Sequence, residues 1–289
     1  MFSIENDYLK IEVNTRGAEL SKLYSKATKL DYLWNGDPAF WAKHSPILFP
    51  VVGTLKNDTY HFQNKTYHLS RHGFAREMDF EMTAKSDHSL SFTLASTAST
   101  LTNFPFDFRL EIIYILQLNK VSIQYNVLNT SPHEMYFSVG GHPAFNVPLE
   151  ENIAFEDYYI EFGEEETTGR WPISREGLIE ALPTEELILQ KKLPLTHELF
   201  NKDALVFKYL NSTSLKLISD KSAHGISVHF EGFPFLGIWS GKNGNFICIE
   251  PWCGIADSVA SHQQFIQKEG INMITPGQVF KRRWSVELF

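Results

Sequence analysis

Cysteine is nearly absent from this sequence: Cys248 and Cys253 are the only two. Five residues of extended chain hold them roughly 16 Å apart, too far for a disulfide. Two free thiols are expected, as in a reducing cytoplasm. A CxxxxC pair without further cysteines is a poor zinc motif, and no metal is expected. Positive charge is also short, with 26 Lys+Arg against 34 Asp+Glu and a formal net charge of -8. No basic stripe is available to release phosphate counterions, which excludes nucleic acid as a partner. The cluster Lys281-Arg282-Arg283 reads as a solvated strand edge. No apolar run reaches the length of a membrane span, and the first residues lack the basic-then-apolar order of a signal peptide. A Gly-rich phosphate loop and a Gly-Xaa-Ser-Xaa-Gly elbow are both missing, which argues against nucleotide chemistry and against a serine hydrolase. Without internal repeats or a Gly/Ser/Pro linker, residues 1–289 are expected to form a single domain.

What the chain does have is apolar and aromatic residues, 43% and 14% respectively, with 23 Phe and 11 Tyr. These suit strands and stacking surfaces. Hairpins are expected at Phe2–Glu5 with Leu9–Val13, and at Tyr60–Phe62 with Lys65–Leu69 around Gln63-Asn64. Further strands are expected at Ala18–Tyr24, Lys29–Trp34, Phe80–Ser86, Ser89–Ala95, Phe108–Leu118, Lys120–Leu128 and Met135–Val139. Past an acidic, loop-rich portion over 150–200 come Ala204–Tyr209, Ser214–Ser219, Gly225–Phe230, Leu236–Ser240, Phe246–Ile249 and Gln278–Leu288. Helix is confined to a short turn at Thr196–Asn201 and a window at Val259–Glu269. Roughly twenty short strands at about ten-residue spacing indicate an all-β fold, a large antiparallel sandwich with very little helix.

The stretch with the most chemistry in it is Phe246-Ile-Cys-Ile-Glu-Pro-Trp252. An apolar strand runs into Glu250, and Pro251 is expected to interrupt the ladder there. A carboxylate at the mouth of an apolar strand gains pKa by burial and so becomes a candidate general base. Two of the 11 histidines stand apart. His72 sits in Arg71-His-Gly-Phe-Ala-Arg76, between cations that depress its pKa. His142 follows Gly140-Gly141, where the backbone can approach another group closely, and precedes Pro143. Two histidines and a glutamate suit a reaction that removes one proton and delivers another near neutral pH. Metal binding is the competing use, but no HxH or HxxxH pair occurs.

Four collinear motifs carry a family resemblance: Pro46-Ile-Leu-Phe-Pro-Val-Val-Gly53, Arg71-His-Gly-Phe-Ala-Arg76, Gly140-Gly-His-Pro-Ala-Phe145, and Leu236-Gly-Ile-Trp239 leading to Ile249-Glu-Pro-Trp252. Together they resemble the aldose 1-epimerase (galactose mutarotase) family, in its bacterial LacX-like branch. The resemblance implies a β-supersandwich that interconverts the α and β anomers of a hexose or hexose phosphate. Glu250 would be the base on the anomeric hydroxyl, His142 the acid on the ring oxygen, and His72 a second histidine holding the ring. Arg76 and Asp203 would bind sugar hydroxyls, Arg71 and Arg76 with Lys56 would supply a phosphate site if the sugar is phosphorylated, and Trp252 and Trp239 would form apolar platforms. No cofactor is implied, only a monosaccharide partner, with the chain a monomer or homodimer. One departure is Thr54, where the family usually has Arg; Lys56 or Arg71 is expected to substitute. Two other readings are a sugar-binding module without turnover and a glycoside hydrolase, which needs a second carboxylate; Asp257 is the candidate.

Overall fold

The computed structural model describes residues 1–184, 191–241 and 243–289. Residues 185–190, in the middle of the loop-rich 150–200 portion, lie outside the described residues. Strand accounts for 45% of the structure and helix for 8%, and among the described residues no helix reaches seven residues. No helix among the described residues is long and apolar enough to cross a membrane.

Two large antiparallel sheets organise the molecule. The first has nine strands, in the spatial order Lys192–Pro194, Tyr158–Phe162, Ser214–Ser219, Ile226–His229, Val279–Leu288, Lys120–Asn129, Phe108–Gln117, Ser89–Ala95 and Glu81–Lys85. The central pair explains itself: Phe108–Gln117 and Lys120–Asn129 alternate buried and less buried residues along their length. Side chains of a strand point to opposite faces in turn, so that alternation presents one apolar face to the core. The second sheet has six strands. Its path runs Leu205–Lys208, Phe235–Trp239, Phe246–Cys253, Val139–Gly141 and Ile47–Leu48, with Ala144–Asn146 also beside Phe246–Cys253. Every residue of Phe246–Cys253 is buried. It is the spine of this sheet, covered on both faces, and its near-continuous apolar run reflects that position.

Several expectations need correction. The spine strand does not stop at Glu250 but continues through Pro251 to Cys253. Its neighbour pairs up to Ala144↔Cys248 and resumes only at Gly140↔Trp252. Pro251 therefore falls in the interval opposite the His142-Pro143 break, where a missing N–H costs no ladder bond. Residues Lys29–Trp34 make only the single bridges Tyr24↔Asp31 and Leu33↔Phe145. The window Val259–Glu269 holds one short 3-10 turn, Phe265–Gln267, and no α-helix. Its carbonyls are taken elsewhere: Lys56 Nζ donates to Val259 O at 2.8 Å and to Ser261 O at 3.3 Å. Residues Ala98–Asn103 form a helix capped by Thr97, whose side chain accepts from the Thr100 N–H. Both cysteines are free and buried. They occupy opposite parities of one strand, so Cys248 joins the cluster with Trp34, Ala144 and Phe246 while Cys253 joins the main core.

Candidate active site

A pocket of about 490 Å³ opens over the six-stranded sheet. Its lining includes Trp41, Arg71, His72, Arg76, His142, Asp203, Trp239, Glu250 and Trp252. All eight residues singled out in the sequence thus line one cavity, although they are spread over 182 positions of chain between Arg71 and Trp252. Trp41 is an addition.

Glu250 points from the spine strand into the pocket floor and is 1% exposed. His142 leaves the neighbouring strand at its break, and its Nε2 lies 3.2 Å from Glu250 Oε2. Burial pushes the Glu250 carboxyl well above the usual carboxylate range; Arg71 and the Trp252 indole oppose this and Asp203 reinforces it. Burial also drives His142 down to about 3, helped by Arg71 and Arg76. Both shifts disfavour charge, which drives the pair toward a protonated carboxyl and a neutral imidazole. His142 Nδ1, Glu250 Oε2 and the Trp252 indole N–H are buried without a well-aligned hydrogen-bond partner. Unsatisfied polar atoms of this kind collect where a polar ligand is received.

His72 is held from behind. Its backbone N–H donates to Gly53 O at 2.9 Å, and its Nδ1 accepts the Gly53 N–H at 3.1 Å. A neutral imidazole that accepts at Nδ1 carries its proton on Nε2. The Arg71 Nε–H lies 3.3 Å from that same Nε2, so two donors meet there, an arrangement suited to a shared acceptor. His72 is kept neutral mainly by burial, then by His142; the flanking Arg71 and Arg76 matter less. The flanking cations do lower it, as expected, but as the smaller causes. His72 and Asp203 both adopt left-handed backbone conformations, φ 69° and 80°. Such strain in non-glycine residues costs of order 1–3 kcal/mol and gathers at functional sites.

Arg71 also reaches Asp203, with Nη2 3.5 Å from Oδ1, while Asp203 Oδ1 accepts the Ala204 N–H at 2.7 Å. Arg76 Nη2 donates to Arg71 O at 2.9 Å, bracing the loop. Thr54 is absent from the pocket lining; its hydroxyl packs under the turn at Gly177, where a Cβ would come within 2.6 Å. Lys56 is spent on Val259 and Ser261, so of the two cations expected to substitute at this point only Arg71 faces the pocket. Asp257 is no partner for Glu250: its Oδ1 is 2.9 Å from Lys268 Nζ and its Oδ2 accepts the Lys56 N–H.

The glycines before His142 do permit close approach, though to other side chains. A Cβ on Gly140 would come within 2.7 Å of Trp252, and one on Gly237 within 2.4 Å of the same ring. Trp252 therefore lies flat across two strands and shows only an edge to the cavity, at 5% exposure. Trp41 is stacked on the His142 ring at 4.8 Å and 25° and stands edge-on to Trp239 at 5.8 Å. Its carbonyl accepts the Trp34 indole N–H at 2.8 Å and its N–H donates to Asp37 O. The segment after Trp34, with its Asn35-Gly-Asp-Pro38 run of turn formers, thus delivers a site residue. The one signal for it was a Trp in a stretch otherwise made of turn formers.

The profile of the aldose 1-epimerase family matches residues 1–276. The chain belongs to the aldose 1-epimerase family. It is 33% identical to the chromosomal protein LacX of Lactococcus lactis subsp. lactis, over 99% of this chain and 98% of that one. Among solved structures it is similar to a galactose mutarotase related enzyme from Lactobacillus acidophilus, with TM-score 0.94 and 34% identity over 100% and 97% of the two chains. A galactose mutarotase-like protein from Lactobacillus casei ATCC 334 gives TM-score 0.89 and 35% identity, with 100% of each chain covered. The supersandwich fold and the class of a carbohydrate epimerase, an isomerase, follow for this member of the aldose 1-epimerase family.

Proposed function

We propose that this epimerase interconverts the α and β anomers of a free hexose or hexose phosphate by opening and reclosing the ring. Glu250 is the base that takes the anomeric proton, and His142 is the acid that protonates the ring oxygen. His72 and Arg71 present their convergent N–H groups to a sugar oxygen. Asp203 and Arg76 serve the remaining hydroxyls, and Trp239, with the edge of Trp252, meets the apolar face of the ring. The observation that carries this reading is the 3.2 Å approach of His142 Nε2 to Glu250 Oε2 at the floor of a polar pocket.

The proton inventory gives the reading a definite order. Ring opening leaves the base protonated and the acid deprotonated. That is the state in which burial holds the empty site, so the resting pair matches the open-chain aldehyde. A closed sugar needs the opposite arrangement, carboxylate and imidazolium. One proton crossing from Oε2 to Nε2 supplies it, and sugar hydroxyls stabilise the charges so formed. Opening returns the proton inventory to rest; rotation about C1–C2 and closure by the reverse steps gives the other anomer. Only protons move, so the reaction draws on no cofactor.

Hydrolysis is less well supported. The second carboxylate in the pocket is Asp203, whose Oδ1 is already engaged by Arg71 and the Ala204 N–H, whereas a hydrolase needs two carboxyl groups free to flank the scissile bond. A pure binding module does not need a buried acid–base pair with opposed pKa shifts. The test is polarimetry on freshly dissolved α-anomers of glucose, galactose and their 6-phosphates. Equilibration faster than buffer for at least one sugar is expected; buffer rates for all, together with measurable sugar binding, would replace the epimerase reading by the binding module.

A further inference from the structure

We propose that His142, Cys248 and Glu250 form a binding site for a thiophilic divalent cation, Zn²⁺ or Cd²⁺, under the floor of the pocket, and that an ion held there stops turnover. The second half of this statement rests on the catalytic role proposed above for His142 and Glu250; the first half does not.

Each of the three residues offers one ligand atom, and these atoms all lie within 4.8 Å of one another, with all three residues buried. The placement follows from the sheet. Cys248 and Glu250 are two residues apart on one strand, so both side chains leave the same face. His142 arrives from the break in the adjacent strand. Zinc bonds of about 2.0–2.3 Å set around a tetrahedron put donor atoms roughly 3.5 Å apart, so shifts of about 1 Å close the tripod. An imidazole, a thiolate and a carboxylate suit Zn²⁺ or Cd²⁺ rather than Mg²⁺ or Ca²⁺. Three protein donors leave a fourth position for water, the arrangement of an open zinc site.

The contact between two of the three donors also favours an ion here. Glu250 Oε2 is buried without a well-aligned hydrogen-bond donor and faces His142 Nε2 at 3.2 Å; a cation bound by both atoms replaces the proton between them. The exchange also conserves charge. A dication enters, the thiol and the carboxyl each release a proton to solvent, and the buried net charge does not change. Arg71 and Arg76 line the same pocket, so an uncompensated dication would be repelled. Cys248 takes no part in the proposed sugar chemistry and does not line the cavity.

The test is a titration with Cd²⁺ followed by the ultraviolet thiolate-to-cadmium charge-transfer band, run beside Zn²⁺ inhibition of anomer exchange. The wild type is expected to develop the band at one ion per chain, and Zn²⁺ to inhibit reversibly on chelation. Cys248→Ser should lose the band, keep its basal activity and need at least about tenfold more Zn²⁺ for half inhibition. Cys253→Ser should behave as wild type. His142→Asn keeps the thiol and should weaken Cd²⁺ binding by at least about tenfold, which guards against a folding defect in the serine variant. No band in the wild type, a band that survives Cys248→Ser, or one indifferent to both His142→Asn and Glu250→Gln overturns the proposal. A band in a protein that anomerises no sugar leaves the metal site standing and removes the enzymatic reading.

Discussion

Replacing Glu250 by Gln should stabilise the protein, and more so as the pH rises. Glu250 is 1% exposed and burial raises its carboxyl well above the usual range. The folded protein therefore keeps a proton that the unfolded chain gives up above about pH 4.3. With the unfolded state binding fewer protons, stability falls as pH rises, by about 1.4 kcal/mol per pH unit, until the folded pKa is passed. Gln has the same shape and carries no such proton, so the slope vanishes in the variant. His142, lowered in both proteins, contributes an opposite slope that cancels in the difference. A kcal/mol shifts Tm by about 2–4 °C in domains approaching this size, so the gap between variant and wild type should widen by roughly 3 °C per pH unit above the unfolded carboxyl pKa and level off once the folded carboxyl ionises. Thermal melts across that range, with matched buffers, measure it. A gap that stays constant with pH would mean that Glu250 is ionised in the folded protein and that the shared proton belongs to His142.

Three other outcomes follow from the geometry. Activity needs one proton on the pair: on the acid side it fails only when His142, held down to about 3, takes a second one. The kcat/KM profile should thus be flat through pH 6.5, and a loss centred there would contradict the burial argument. Trp41→Leu removes the ring stacked on His142 and with it about 1 kcal/mol of support for the imidazolium; kcat should drop about fivefold with KM little changed, and Trp41→Phe should restore most of it. Lys268→Met leaves Asp257 buried opposite no cation, which should cost about 3–5 kcal/mol in urea denaturation; a loss below about 1 kcal/mol would show that water reaches the aspartate.

Much of the fold was legible because alternation is a local signal. Phe108–Leu118 and Lys120–Leu128 read as strands from their residue types and the turn between them, and the observed strands agree within a residue. Tyr158–Phe162 alternates as regularly but was lost inside an acidic, proline-bearing stretch. The misreadings were non-local. Pro251 breaks a strand by every local rule; it is tolerated because the neighbouring strand is broken opposite it. The residues from Val259 to Glu269 have helical composition, but Lys56 takes their carbonyls and Lys268 is drawn to Asp257. In the pocket, Glu250, His142 and His72 were legible from residue type and flanking Gly or Pro. The His142–Trp41 stack was not, because nothing in a turn sequence says which distant ring it will face.

The central claim is that one proton shuttled between Glu250 and His142 opens the sugar ring. Its most direct test is the rate of anomer exchange, followed by polarimetry on a sugar the wild type accepts, in the wild type, Glu250→Gln and His142→Asn. Each variant should lose about 10²–10⁴-fold in kcat while still binding the sugar, and the double variant should be no worse than the poorer single one, as for groups that act as a unit. Exchange near the wild-type rate in Glu250→Gln, with binding intact, would contradict the claim and return the pair to a structural role.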